Sequence, residues 1–332
     1  MLSRSKFNRF TRNEYLREII IIIIVIIIIH ICNTYYEYTG NQYILIDNDH
    51  LNEFCPLYPS TLQGSKEEII MLEKVEWSDN PNVQIGGIYS PNDCKSRQEL
   101  AIIIPFRNRE YHLKLLLKYL HPFLQRQKRS YQIFVVEQVM IGNVTFNKGI
   151  IMNVAFQQAL NIRSTFNCFI FHDVDLVPEN DYNVYECDQK APRHLSPAVD
   201  ELRYVLMYNH LVGGVLALSK EQFISVNGWS NLYWGWGAED DDMAQRIRNS
   251  SYRLSRPPNH IGRYKMIRHE KRERAVNRHQ LLQGWTRYLH DGIKQLNQVD
   301  YTIENIHKEK LFTHILVNIT RLSTHKLEYL LQ

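Results

Sequence analysis

Several short stretches of this chain carry side chains that could do chemistry together. In Asn231-Leu-Tyr-Trp-Gly-Trp-Gly-Ala-Glu-Asp-Asp-Asp242, two tryptophans and two glycines run straight into four consecutive acids. Adjacent carboxylates repel one another. An acidic first turn of a short helix, continued by Met243, Arg246, Ile247 and Arg248, accounts for some of them, because the positive end of the helix dipole tolerates acids. It does not account for the aromatic run. Exposed indoles beside carboxylates suit a pyranose, whose apolar face stacks and whose hydroxyls need acceptors. An acid placed there can also take a proton from a hydroxyl. Asp173-Val174-Asp175 sets two carboxylates two apart at the end of an apolar run, where strand alternation predicts that both face one way. Hard oxygen donors of this kind suit Mg²⁺ or Mn²⁺ bridging a diphosphate. Met266 and His269 add a thioether and an imidazole that could complete such a site, the soft sulfur favouring Mn²⁺. Arg107 and Arg109 suit phosphate contacts. Phe146-Asn-Lys-Gly149 offers an aromatic for a base and, at a helix start, amides for an anion. Gly213-Gly214 marks a turn or a close backbone approach.

The elements around these stretches read as alternating strands and helices. Leu100-Ala-Ile-Ile-Ile104 is a buried strand, and Leu113, Leu116, Leu117, Leu120, Phe123 and Leu124 recur at helical spacing. Ile133 to Val136 is a second strand, Ile150 to Leu160 a helix, and Cys168 to Phe171 a third strand. This order predicts a Rossmann-like α/β fold with a mainly parallel central sheet. Ligands of such sheets bind beyond the carboxyl ends of the strands. That is where Arg107, Arg109, Asp173 and Asp175 fall.

At 332 residues with a net charge of +4 the chain can bury a sizeable core, and it shows no basic stripe interleaved with aromatics of the kind that binds nucleic acid. Residues 19–32 are almost wholly Ile and Val. Fourteen residues of helix span roughly 21 Å, short of a ~30 Å hydrocarbon layer, so an anchor here needs a thin bilayer or the interfacial help of Tyr35, Tyr36 and Tyr38. No small-residue cleavage site follows, which favours an uncleaved signal anchor over a secretory signal. Arg4, Lys6, Arg9, Arg12 and Arg17 precede the run, placing residues 1–18 in the cytosol and everything from residue 33 in the lumen. Residues 33–54 read as a stem and 55–332 as the catalytic domain. Apart from Cys32, the cysteines are Cys55, Cys94, Cys168 and Cys187, an even number consistent with two disulfides in an oxidising compartment.

Taken in order, these segments resemble the β-1,4-galactosyltransferases, including their invertebrate N-acetylgalactosaminyltransferase members. The matching residues are Ala101 to Arg109, Phe146 to Gly149 with Asn153 to Phe156, Phe171 to Pro178, Gly213 to Val215 with Ala217 to Lys220, Asn227-Gly228, Tyr233 to Asp242, and Gly262-Arg263 with Met266 to His269. The resemblance implies a GT-A fold, a single-pass type II Golgi membrane protein, and inverting transfer from a UDP-sugar to a GlcNAc-terminated glycan. It implies that Asp175, Met266 and His269 hold Mn²⁺. Pro105, Phe106, Arg107, Arg109, Phe146, Val174 and Asp175 would line the nucleotide site, with Lys148, Leu211 and Trp236 towards the donor sugar. Trp236 and Gly237 would close over donor and acceptor, Glu239 and Asp240 would bind the acceptor, and Asp240 would act as base. The implied disulfides are Cys55 with Cys94 and Cys168 with Cys187.

Three positions depart from the family pattern. Lys148 stands where arginine is usual, losing a planar fork. Ala238 replaces a glycine, which matters if that position needs positive φ. Leu211 stands where vertebrate galactosyltransferases carry a tyrosine around C2 of the donor; the invertebrate members that transfer GalNAc are similar to this chain in having an aliphatic residue. The resemblance therefore implies UDP-GalNAc as donor, with UDP-Gal as the alternative. A membrane-anchored sugar-binding protein without chemistry would not need the proposed metal ligands and Asp240. A carboxylate-pair hydrolase would leave the basic loops without a task.

Overall fold

The computed structural model describes residues 21, 23–25, 27, 28, 53–65, 74–139, 142, 144–269, 275 and 278–320. Contacts divide the chain into residues 1–53 and 54–332. In the first unit, the described residues between Ile21 and Ile28 are helical and exposed. Among the described residues no helix is long and apolar enough to cross a membrane. The tail, most of the anchor and nearly all of the stem lie outside the described residues.

The second unit is built on an eight-stranded sheet. Its strands are β1 (Ile88–Tyr89), β2 (Glu99–Phe106), β3 (Ser130–Gln138), β4 (Cys168–His172), β6 (Arg193–His194), β8 (Val215–Ser219), β10 (Tyr301–Lys308) and β11 (Thr313–Ile319). The path runs β10-β11-β3-β2-β4-β8-β6, with β1 also on β3. The four inner strands β11, β3, β2 and β4 are parallel. The outer pairs β10–β11, β4–β8, β6–β8 and β1–β3 are antiparallel. The sheet is therefore mixed, which corrects the expectation of a mainly parallel one. An apolar run such as Val215 to Ser219 reads the same in either direction, because both faces of the strand are covered. A smaller sheet joins β5 (Leu176–Pro178), β9 (Arg263–Met266) and β7 (Ala198–Val199).

Helices cover both faces of the large sheet. In β2, Leu100, Ile102 and Ile104 pack into one core with α1 (Glu110–Arg126), while Ala101 and Ile103 enter a second core with α2 (Lys148–Ile162). Double-sided burial is why the strands lack polar alternation. Helix α2 begins where the Asn147 side chain accepts a hydrogen bond from the Ile150 amide, satisfying a donor that has no partner inside the helix. Short helix α3 (Lys220–Ser225) carries a full capping box from Ser219 and Gln222. The remaining α-helices are α4 (Glu239–Asn249) and α5 (Arg278–Gln283). The disulfides join Cys55 to Cys94 and Cys168 to Cys187, the pairing the resemblance implied.

The start of α4 is fixed from below by buried charges. Asp242 pairs with Arg246 at 2.5 Å and Arg287 at 2.8 Å; Asp291 accepts from Arg246 at 3.1 Å and Arg287 at 3.2 Å. Asp291 also takes the Ser230 hydroxyl and the Asn231 amide. Two arginines and two aspartates thus compensate one another and tie the residues ahead of the tryptophan loop to the 3₁₀ turn at Trp285–Leu289. Replacing Arg246 by alanine leaves two buried carboxylates undercompensated, so we expect a loss of about 3–5 kcal/mol in urea denaturation. A loss below ~1 kcal/mol would show that the network is not a stability element.

Candidate active site

The mixed topology assembles the site. Because β8 runs against β4, His172 pairs with Val215 and the Asp173 amide donates to the Gly214 carbonyl at 2.9 Å. Gly213-Gly214 therefore sits beside Asp173-Val-Asp175 at one edge of the sheet, next to the loop after β2 that carries Arg107 and Arg109. The cleft there encloses about 700 Å³, counting space open to solvent, and is lined by Pro105, Arg107, Arg109, Phe146, Lys148, Asp173, Val174, Asp175, Gly235, Trp236, Glu239, Asp240 and His269.

Most of the residues singled out from the sequence meet in this cleft. Phe106 is buried in the core beneath it, and Gly237, Leu211 and Met266 lie outside its lining. Leu211 is two residues before Gly213. A Cβ on Gly213 would stand 2.7 Å from Oδ2 of Asp240, so only glycine lets that backbone close on the acid. Asp173, read from the sequence as a possible metal donor, and Gly235 of the tryptophan loop also line the cleft, although the family resemblance implied no role for either.

The expectation that Asp173 and Asp175 share a strand face needs correction. Strand β4 ends at His172 and the three residues form a turn, so alternation no longer applies. Their side chains separate. Asp173 meets Lys148 at 2.9 Å, while Asp175 meets His269 Nε2 at 3.0 Å and Arg109 at 3.7 Å. Burial works to raise Asp175, yet the hydrogen bond and charge of His269, with Arg109, hold it below the usual carboxylate range. Met266 lies across from Leu176 in the β5–β9 pair, next in sequence to Asp175, and the Ile267 amide donates to the Asp175 carbonyl at 2.7 Å. An ionised carboxylate and an imidazole 3.0 Å apart have the spacing of two donors to one octahedral ion with bonds of about 2.1 Å. These two side chains fit as donors to a divalent cation; Met266 packs against the hydrophobic core and lies outside the cleft lining.

The four consecutive acids are dispersed by the helical turn, which sends each to a different partner. Glu239 reaches back to accept from the Gly237 amide at 3.1 Å. Asp240 packs on Gly213 and lies 3.4 Å from Lys148. Asp241 accepts the Tyr208 hydroxyl at 2.7 Å, and Asp242 enters the buried arginine network. Lys148 also lies 3.7 Å from Glu239. Burial works against its charge, but Asp173, Asp240 and Glu239 together hold the ammonium well above the usual lysine range. Burial and, next, the Asp240 charge push Glu239 up to about 7, and burial raises Asp240 against the pull of Lys148. Ala238, the residue before α4, has φ of 73°. The left-handed conformation asked of a glycine is thus imposed on an alanine, at a cost of roughly 1–2 kcal/mol. On the opposite wall, Arg107 lies over the Phe146 ring at 5.0 Å and donates to the Val144 carbonyl. This brings a guanidinium and an aromatic ring together in the cleft lining.

With this geometry in view, comparison with known proteins decides the family. Residues 55–188 match the N-terminal region of glycosyl transferase group 7, and residues 193–270 match a family model described as the N-terminal domain of galactosyltransferase. The chain is a glycosyltransferase of the β-1,4-galactosyltransferase family. It is 44% identical to β-1,4-galactosyltransferase 2 of Cricetulus griseus over 80% of this chain and 73% of that one. It is 43% identical to β-1,4-galactosyltransferase 3 of Bos taurus over 72% of this chain and 60% of that one. The catalytic domain of Drosophila β-1,4-galactosyltransferase 7, solved with xylobiose, shares 29% identity and superposes with a TM-score of 0.60, covering 70% of this chain and 98% of that one. A mutant of the Drosophila enzyme was solved with manganese, UDP-Gal and xylobiose, and matches with the same figures. The likeness extends to fold as a GT-A-type glycosyltransferase.

The raised Glu239 has a testable consequence for stability. Between its ordinary value near 4.5 and about 7, the folded state keeps a proton that the unfolded chain has released, so stability falls as pH rises through that window. Glu239→Gln abolishes this loss. The variant should gain Tm over the wild type at pH 8 while matching it at pH 4, and parallel Tm curves between those pH values would rule out the raised ionisation.

Proposed function

We propose that this enzyme transfers GalNAc from UDP-GalNAc to O4 of a terminal β-linked GlcNAc on glycoprotein or glycolipid glycans, with inversion, forming GalNAcβ1-4GlcNAc. The observation that carries the reaction type is the convergence of Asp240, Asp175 with His269, and Arg107 with Arg109 on one cleft. Asp240 takes the proton of the attacking hydroxyl. Lys148 favours the charged form of that carboxylate against the effect of burial, while Glu239, whose ionisation lies near neutrality, offers a hydrogen bond to the acceptor. Arg107 and Arg109 contact the diphosphate, and Phe146 stacks on the base. Trp236, half exposed, covers the sugars. The Mn²⁺ that Asp175, His269 and Met266 would hold supplies charge stabilisation to the leaving diphosphate. A single displacement from the face opposite UDP converts an α-linked donor into a β-linked product.

The choice of GalNAc rests on Leu211. An N-acetyl group at C2 adds a planar amide, which a tyrosine at this position would crowd and an aliphatic side chain admits. Galactose from UDP-Gal is the second reading, favoured by the names of the relatives. The manganese and UDP-Gal held by the Drosophila relative support a metal-assisted UDP-sugar site in either case. The isoleucine run with its basic flank supports a type II Golgi membrane protein with tail 1–18, anchor 19–32, stem 33–54 and lumenal catalytic domain 55–332.

Three outcomes test this reading. Full-length protein with Mn²⁺, a GlcNAc acceptor and equal UDP-Gal and UDP-GalNAc should make mostly the GalNAc product, and Leu211→Tyr should move the ratio towards galactose; galactose outrunning GalNAc in the wild type defeats the donor assignment. Asp240→Asn should bind UDP-sugar normally yet turn over ~10²–10⁴-fold more slowly, and near-normal turnover would move the base elsewhere. In sealed microsomes, added protease should leave residues 33–332 intact, whereas their digestion would overturn the topology.

A further inference from the structure

Arg256 spends its guanidinium in an unusual way. Its Nη2 donates to the Asn209 carbonyl at 2.9 Å and to the Leu211 carbonyl at 2.8 Å, and its Nε donates to His194 Nδ1 at 3.0 Å. His194, buried on edge strand β6, then uses the proton on Nε2 to donate to the Gly213 carbonyl at 2.9 Å. Carbonyls 209, 211 and 213 alternate along one segment, and this one Arg–His pair holds all three. Among the described residues no carboxylate forms a salt bridge with Arg256. Burial lowers both Arg256 and His194, His194 to about 3, so the imidazole stays neutral and its tautomer is fixed by accepting from Arg256.

What the pair holds is the backbone of residues 209–213, which ends beside Asp240. Leu211 belongs to the segment by its own carbonyl, and Gly213 abuts the Asp240 carboxylate. Ser196 supports the same turn, accepting from the Val215 amide at 2.8 Å. A planar fork can engage two carbonyls and a ring nitrogen at once in a fixed geometry, which a lysine ammonium on a flexible stem does not reproduce. We infer that Arg256, seated by His194, is a positioning residue for donor selectivity, fixing the Leu211–Gly213 segment against the donor sugar and Asp240. The inference rests on the reading that Leu211 meets the donor at C2.

The test compares full-length wild type, Arg256→Gln, Arg256→Lys and Leu211→Tyr. For each, kcat/KM is measured with UDP-GalNAc and UDP-Gal, together with the UDP dissociation constant and Tm. Arg256→Gln should bring the donor ratio at least fivefold closer to unity, whichever donor the wild type prefers, while UDP binding stays within about twofold. A ratio that moves less than fivefold overturns the inference even if turnover drops, because loss of rate alone is what a purely structural role would give. If Arg256→Gln does not fold, Arg256→Lys decides by the same criterion. A wild type that prefers UDP-Gal, or a Leu211→Tyr variant whose ratio is unmoved, counts against the donor assignment alone. An unmoved ratio in the Arg256 variants beside a moved one in Leu211→Tyr counts against the clamp alone.

Discussion

A single ammonium among three carboxylates makes the site possible. Asp173 follows β4, Glu239 and Asp240 open α4, and Lys148 opens α2, so three separate elements end at one cation. Without it, three acids brought this close and this deep would repel or take up protons. With it, each has an opposite charge within reach: Asp173 at 2.9 Å, Asp240 at 3.4 Å and Glu239 at 3.7 Å. The family's usual arginine would spread that charge over a planar fork, whereas lysine concentrates it at a point all three acids share.

The parts of this architecture that follow from periodicity were legible in the sequence. Leu100 to Ile104 and Leu113 to Leu124 announce a buried strand and the helix that covers it, because burial on one face or two leaves a pattern in residue type. The family's motifs located most of the cleft lining and both disulfides. Strand direction left no such mark, so the antiparallel β8 that carries Gly213-Gly214 to Asp173 was not legible. Nor were the partners of the acids. Asp242 with Arg246 and Arg287 with Asp291 lie on separate segments, and the cross-pairs Arg246–Asp291 and Arg287–Asp242 depend on tertiary approach rather than on spacing. The Asp173–Asp175 turn failed for a related reason, since alternation holds only while the strand lasts and β4 stops one residue earlier.

Ala238 shows the converse, a constraint the sequence posed and the structure answered. The position does require positive φ, and the chain accepts the strain because both sides of it are fixed. Glu239 grips the Gly237 amide behind it, and the buried Asp242 network anchors the helix ahead. Strain at a loop persists where its surroundings over-determine it. Here the over-determining contacts are the same ones that aim Asp240 at the cleft.

The bond between Cys168 and Cys187 has a consequence for where in the life of the chain the enzyme matures. It closes a ring whose sequence separation of 19 contains His172, Asp173 and Asp175. The turn that presents these carboxylates is thus inside a covalent loop that forms only after oxidation. A chain in which both cysteines are still reduced has the whole sequence of the site but not its frame. Production in a reducing host would yield protein in which this frame is missing.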